Sequence, residues 1–190
     1  IFDVAETEVT PEMRTSAKRV NFGIIYGMSA FGLAKDLEIS QEQAAEFIDR
    51  YFLKYPKVKD FMDAQIRQCE ERGFVVTLLN RRRYIPDILS PNNAIRQFAQ
   101  RQAINTPVQG SAADLIKLAM VKIQDELDRL GFGAKMIITV HDELVFDVSQ
   151  KEKNQLIELV RDSMENTLKL TVPITVSVKV GLNWLEMEKI

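Results

Sequence analysis

Residues 138–148 read Ile138-Thr139-Val140-His141-Asp142-Glu143-Leu144-Val145-Phe146-Asp147-Val148, or ITVHDELVFDV, and they hold the only histidine of the chain. Ile138 and Val140 alternate with Thr139 as a strand does, and Leu144 to Val148 resume a strand beyond the acids. His141-Asp142-Glu143 then falls at the bend of a β-hairpin. Working outward, AKMIITV (134–140) and ELVFDV (143–148) are its arms, and VPITVSVKVG (172–181) reads as a third strand. Between the last two, KEKNQLIELVRDSMENTLK (151–169) places apolar residues at helical spacing. The class predicted is α+β, with a small antiparallel sheet packed by helices.

Upstream the chain is mostly helical. Thr10-Pro11-Glu12 marks a helix start, a capping hydroxyl followed by proline at the first helical position. That helix is expected to run through EMRTSAKRVNFGIIYG to about Met28. SAFGLAKDL gives a short helical segment, and Ser40 with Gln43 forms a capping box that opens QEQAAEFIDRYFLKY. Pro56 restarts a helix that Gly73 ends. FVVTLL (74–79) and RRYIPDI (82–88) read as a second hairpin around Asn80-Arg81, with Pro86 on an edge strand. Asn92 or Asn93 caps AIRQFAQRQAIN, Pro107 is expected to break it, and SAADLIKLAMVKIQDELDRL follows up to Gly131. The apolar stripe of that last helix is predicted at Leu115, Leu118 or Ala119, Ile123, Leu127 and Leu130. The change of character near residues 91–95 predicts two subdomains sharing a cleft: 1–95, mostly helices, and 96–190, helices on a sheet.

The totals exclude several classes. With 25 Lys and Arg against 27 Asp and Glu, the net charge of −2 exerts no bulk pull on nucleic acid, so such binding must use local basic faces. Cys69 is the only cysteine, which rules out an internal disulfide or a cysteine-rich zinc site and fits a reducing compartment. No apolar run approaches the ~20 residues that span a bilayer, and no signal peptide is recognisable. The chain opens on IFDVAETEVT without methionine, which is expected of a fragment of a longer protein or of a processed N-terminus.

Three faces carry candidate chemistry. Arg14, Lys18, Phe22 and Tyr26 recur every fourth residue. Each step turns about 400° on a helix, so they form a slowly winding stripe from two cations to two aromatic rings. Such a stripe suits a nucleotide, cations on the phosphates and rings on sugar and base. Gly23 and Gly27, at about 1 kcal/mol each in a helix, would let a flat base approach the backbone or would serve helix packing. Arg101, Asn105 and Gln109 repeat the same spacing and suit the minor-groove edge of a duplex, whose acceptors vary little with sequence. Arg81 and Arg82 of the Arg81-Arg82-Arg83 run suit phosphates. At the first hairpin, Asp142 with Glu143 offers the hard oxygen ligands of Mg²⁺, which typically takes one or two carboxylates plus substrate phosphates. Taken singly, each face reads more readily as a solvated helix side, core packing or an ordinary turn than as a site.

Together these segments resemble family A DNA polymerases of the bacterial DNA polymerase I type. RTSAKRVNFGIIYG fits that family's pattern R-x3-K-x3-F-x3-Y-G, RQAINTPVQGSAADLIK its kinked primer–template helix, and VHDELVFDV its catalytic hairpin. The three occur in the family's order and cover nearly the whole chain. The resemblance implies a right-hand polymerase architecture, incomplete here: fingers over residues 1–95 and the C-terminal part of the palm over 96–190. It implies that Arg14 and Lys18 bind the dNTP triphosphate, with Lys18 a general acid toward pyrophosphate. Phe22 then packs on the sugar and Tyr26 near the templating base. Arg101, Asn105, Gln109 and His141 contact primer-template DNA, Asp142 holds the two catalytic Mg²⁺ ions, and Glu143 supports it.

The family's other metal aspartate lies in a motif D-Y-S-Q-I-E-L-R that does not occur here. The resemblance therefore implies a piece inactive alone, from a monomeric enzyme of replication and repair in the bacterial cytoplasm. A single-subunit RNA polymerase shares the Arg…Lys…Tyr-Gly helix and an aspartate hairpin; Phe22, Glu143 and NTPVQGSAADLIK favour the DNA enzyme. A module that binds nucleic acid or a protein without catalysis is the other alternative.

Overall fold

Thr10 caps the first helix as its place before Pro11 predicts: in the computed structural model, which describes residues 4–190, its hydroxyl accepts from the Met13 amide at 3.2 Å. Helix α1 spans Pro11–Ile25. It stops three residues short of Met28 because Gly27 turns left-handed at φ 75°. The Gly27 and Met28 amides then bond back to the Ile24 and Gly23 carbonyls. Helix α2 covers Ala30–Leu37, capped by Ser29, and α3 covers Gln41–Lys54, opened by the Ser40–Gln43 capping box in both directions. Val20 and Ile24 of α1 close a core with Leu33 and Ala34 of α2 and Ala44 of α3. Buried Val20, Ile24 and Leu33 each contribute roughly 1.5–3 kcal/mol.

Helix α4, Pro56–Arg72, ends at left-handed Gly73. Strands β1, Phe74–Val76, and β2, Arg82–Tyr84, pair antiparallel with Phe74 opposite Tyr84 and Val75 opposite Arg83. Both are shorter than the sequence predicts. Pro86 lies on no edge strand: with its φ fixed and no amide to donate, it starts a 3₁₀ turn over Pro86–Leu89 instead. Cys69, Val75, Ile85 and Ile88 pack there with Ala99 and Ala103 of the following helix.

That helix, α5, runs unbroken over Asn93–Leu130. Asn92 is its cap, with Oδ1 accepting from the Ala94 amide at 3.0 Å. The expected break at Pro107 does not occur. Fully buried Ala103 precedes it, and Thr106 beside it is buried and accepts from Arg83 Nη1 at 3.1 Å. Packing on that side holds the helix where propensity alone would end it.

Beyond α5, which Gly131 ends in the same manner as α1, β3, Lys135–Val140, pairs antiparallel with β4, Glu143–Asp147, and helix α6 follows over Lys153–Glu165. Ala119, Ile123 and Leu127 of α5 form the core here with Ala134, Leu156 and Met164. Leu118 and Leu130, included in the predicted stripe, are instead 39% and 50% exposed. The predicted third strand shrinks to β5, Lys179–Val180, paired with β6, Glu188–Lys189. Earlier in that stretch the Val176 amide donates to Glu165 Oε1 at 2.8 Å rather than to a neighbouring strand. The described residues thus hold three two-stranded antiparallel sheets among helices, an α+β fold.

The chain divides into two compact units, Ile1–Gln109 and Gly110–Ile190, the division falling inside α5. No helix among the described residues is long and apolar enough to cross a membrane.

Candidate functional site

In the first unit, α1 buries Val20, Gly23 and Ile24, and the opposite side is the stripe read from the sequence. Arg14, Lys18, Phe22 and Tyr26 are all exposed along it. The rings of Phe22 and Tyr26 lie 6.1 Å apart at 16°, a stacked pair with outward faces open. Arg14 and Lys18 line a shallow, wide-open surface cavity of about 340 Å³ with Val9, Ala17 and Asn21. Neither cation is ion-paired among the described residues, whereas their neighbour Arg19 is taken up by Asp36 of α2. Two free cations in one concavity have the chemistry to receive a polyanion.

The glycines divide their work differently from the first expectation. A Cβ on Gly23 would stand 2.8 Å from Met28 Cε, so this glycine is filled by the returning chain and gives a base no approach. Gly27 supplies the helix stop, and a Cβ there would lie 3.1 Å from Arg101 Cγ. The end of α1 therefore sits against α5 at the first residue of its polar row.

Because α5 is continuous, Arg101, Asn105 and Gln109 do follow one row. Arg101 lies over the Phe98 ring at 5.8 Å. Gln109 is exposed, and Asn105 is partly buried with its Oδ1 shielded from solvent and unpaired. The arginine run is split by strand alternation. Arg83 turns to Thr106, Arg82 stacks on Phe74 with 4.8 Å from guanidinium to ring, and Arg81 sits in the turn with its amide on Thr77 Oγ1. All three arginines are exposed.

In the second unit, Val140 pairs with Glu143, which leaves His141 and Asp142 as a two-residue turn. His141 carries φ 54° and Asp142 does not, the sign pattern of a type II′ hairpin turn, where glycine usually stands first. His141, Asp142 and Glu143 are all exposed. Leu144 and Phe146 anchor the arm against α5 and α6, and a bulge between Met136 and Ile138 bends the partner strand. Stiff pairing thus carries an open carboxylate at its tip. Among the described residues no group of three or more His, Cys, Asp or Glu gathers as a metal cage. The donors fit Mg²⁺ in the manner of a cation taking one or two carboxylates and completing its shell with water and phosphate oxygens.

Asn21 escaped the four-residue reading. It stands seven residues after Arg14 and three after Lys18, on their flank of α1, and its Oδ1 accepts from the Tyr51 hydroxyl of α3 at 2.7 Å.

Known proteins match this arrangement along its length. The family model for DNA polymerase family A matches residues 1–186. The chain is 50% identical over 186 residues to the DNA polymerase I of Caldicellulosiruptor bescii and 45% identical to that of Bacillus subtilis. Both alignments cover 98% of this chain but only 22% and 21% of those proteins, so the chain spans about a fifth of their length. Among solved structures, the POL domain of Pol1 from M. smegmatis, in complex with DNA primer-template and dNTP, superposes with a TM-score of 0.88 at 42% identity. That match covers 90% of this chain and 30% of the other. On a match of this extent, the chain belongs to DNA polymerase family A.

Proposed function

We propose that this chain supplies the nucleotide-binding helix, part of the DNA-contacting surface and one catalytic carboxylate of a DNA-directed DNA polymerase. The observation that carries the proposal is the exposed stripe of α1, where unpaired Arg14 and Lys18 line one cavity and a stacked aromatic pair follows one turn on. Its nearly whole-length similarity to a polymerase domain solved with primer-template and dNTP supports the same reading.

Phosphoryl transfer asks a protein mainly to position reactants and stabilise charge. Arg14 and Lys18 hold the triphosphate, and Lys18 can give a proton to the departing pyrophosphate. Phe22 packs on the sugar and Tyr26 near the templating base. Arg101, Asn105, Gln109 and His141 meet primer and template near the growing end, and Arg81 and Arg82 meet backbone phosphates. Asp142 holds divalent metal, Mg²⁺ by donor type, with Glu143 in support. Bound there, metal supplies acidity to the primer 3′-hydroxyl and charge compensation to the pyrophosphate. With a single assigned metal carboxylate, residues 1–190 alone are expected to extend primers negligibly. The parent acts as a monomer in the bacterial cytoplasm, in replication and repair.

Primer extension by the full-length protein, with dNTPs and NTPs in parallel, tests this. The expected outcome is incorporation of dNTPs, lost in Lys18→Ala; preference for NTPs overturns the assignment.

A further inference from the structure

Asn21 shares the cavity with Arg14 and Lys18, yet it is held from α3, outside α1 altogether. Tyr51 is itself fixed there, edge-on to Phe52 with centroids 5.7 Å apart and tilted on Tyr55 at 5.1 Å. Its hydroxyl donates to Asn21 Oδ1. A primary amide has one acceptor atom and two N–H donors. With Oδ1 engaged by Tyr51, the donors are turned elsewhere, and they meet no protein acceptor among the described residues. Nothing in the packing of α1 on α3 requires an amide here, since Val20 and Ile24 already form the apolar contact. A neutral, oriented N–H pair beside two cations suits a phosphate chain: the cations neutralise its charge and the amide gives direction.

We propose that Asn21 is a third ligand-binding group of this cavity, donating from Nδ2 to the phosphates of a nucleoside triphosphate, and that Tyr51 is the positioning residue that fixes the amide's orientation. The proposal rests on the nucleotide reading of the cavity. Tyr51→Phe keeps the ring and its packing and removes only the hydroxyl, after which the amide is free to turn its oxygen toward the phosphates. Asn21→Asp places a carboxylate where the donors stood.

Steady-state kinetics of the full-length polymerase test this, with dNTP and primer-template varied separately. Asn21→Ala is expected to raise the dNTP KM about tenfold, the usual consequence of losing a hydrogen bond to a charged partner. Asn21→Asp is expected to raise it further, and Tyr51→Phe about threefold, with the losses on dNTP KM rather than on kcat or primer-template KM. In the Asn21→Ala background, Tyr51→Phe should add nothing. A hydroxyl that only supported the fold would instead act additively and lower kcat and melting temperature. Additive effects, or an unchanged dNTP KM in Asn21→Ala, overturn the inference. Lys18→Ala separates the two levels. If it leaves dNTP kinetics unchanged, the nucleotide reading falls; if it weakens dNTP use while the Asn21 variants do not, only the present inference falls.

Discussion

Phe22 is half exposed and stacked on Tyr26, so one face of its ring is held and the other is free. An apolar ring against a sugar offers no hydrogen bond to replace a missing 3′-hydroxyl. Phe22→Tyr adds that hydroxyl and should raise dideoxynucleotide incorporation relative to dNTP by about tenfold; an unchanged ratio in competitive primer extension would remove Phe22 from the sugar. Asp142 makes the complementary case. Its carboxylate is exposed at the tip of the β3–β4 turn, where truncation removes no core contact. Asp142→Ala should therefore keep the melting temperature of the parent while lowering kcat by about a thousandfold, the scale of several kcal/mol of metal-borne charge stabilisation. At this scale the α1 stripe was legible because four residues sharing one helix face need only local spacing. Asn21 was not, since its partner lies thirty positions away on α3 and no spacing rule reaches that far.

Helix boundaries were legible wherever a side chain or glycine closes the local hydrogen bonds, as at Thr10, Ser40, Gly73 and Gly131. The errors came from elements whose limits depend on distant partners. Residues 172–178 alternate like a strand, but the Val176 amide is taken by Glu165, and backbone pairing begins only where the Val178 carbonyl accepts from Ile190 at 3.1 Å. Pro107 erred in the other direction, because packing carried α5 past a residue that breaks helices on its own. One contact on that side can be tested directly. Thr106→Val keeps the shape but removes the acceptor for the Arg83 guanidinium, and should destabilise the fold by about 1 kcal/mol in chemical denaturation. Full stability in that variant would assign the passage through Pro107 to the apolar contacts alone.

Among the described residues, stability is distributed over three separate cores rather than one, two in the first unit and one in the second. The sequence read two subdomains, and the compact units divide inside α5 because a single long helix serves both. Cys69 makes one core sensitive to alkali. Burial, and next the neighbouring Glu70, push its thiol above the ordinary range. A raised folded-state value means its stabilising contribution is complete below the unfolded thiol pKa of about 8.5 and is lost as pH climbs through the folded value. Burial raises Tyr51 likewise, at still higher pH. The melting temperature should therefore decline above about pH 8.5, and less steeply in Cys69→Ala. An identical decline in both proteins would assign it to other groups.

Gly23 leaves a hollow on the buried side of α1 that Met28 fills, its thioether reaching back across the helix end. Peroxide would convert that sulfur to a polar, bulkier sulfoxide in a space that now fits a thioether. Oxidation there would press on the turn that sets Tyr26 and Gly27. Replacing Met28 with leucine should protect it.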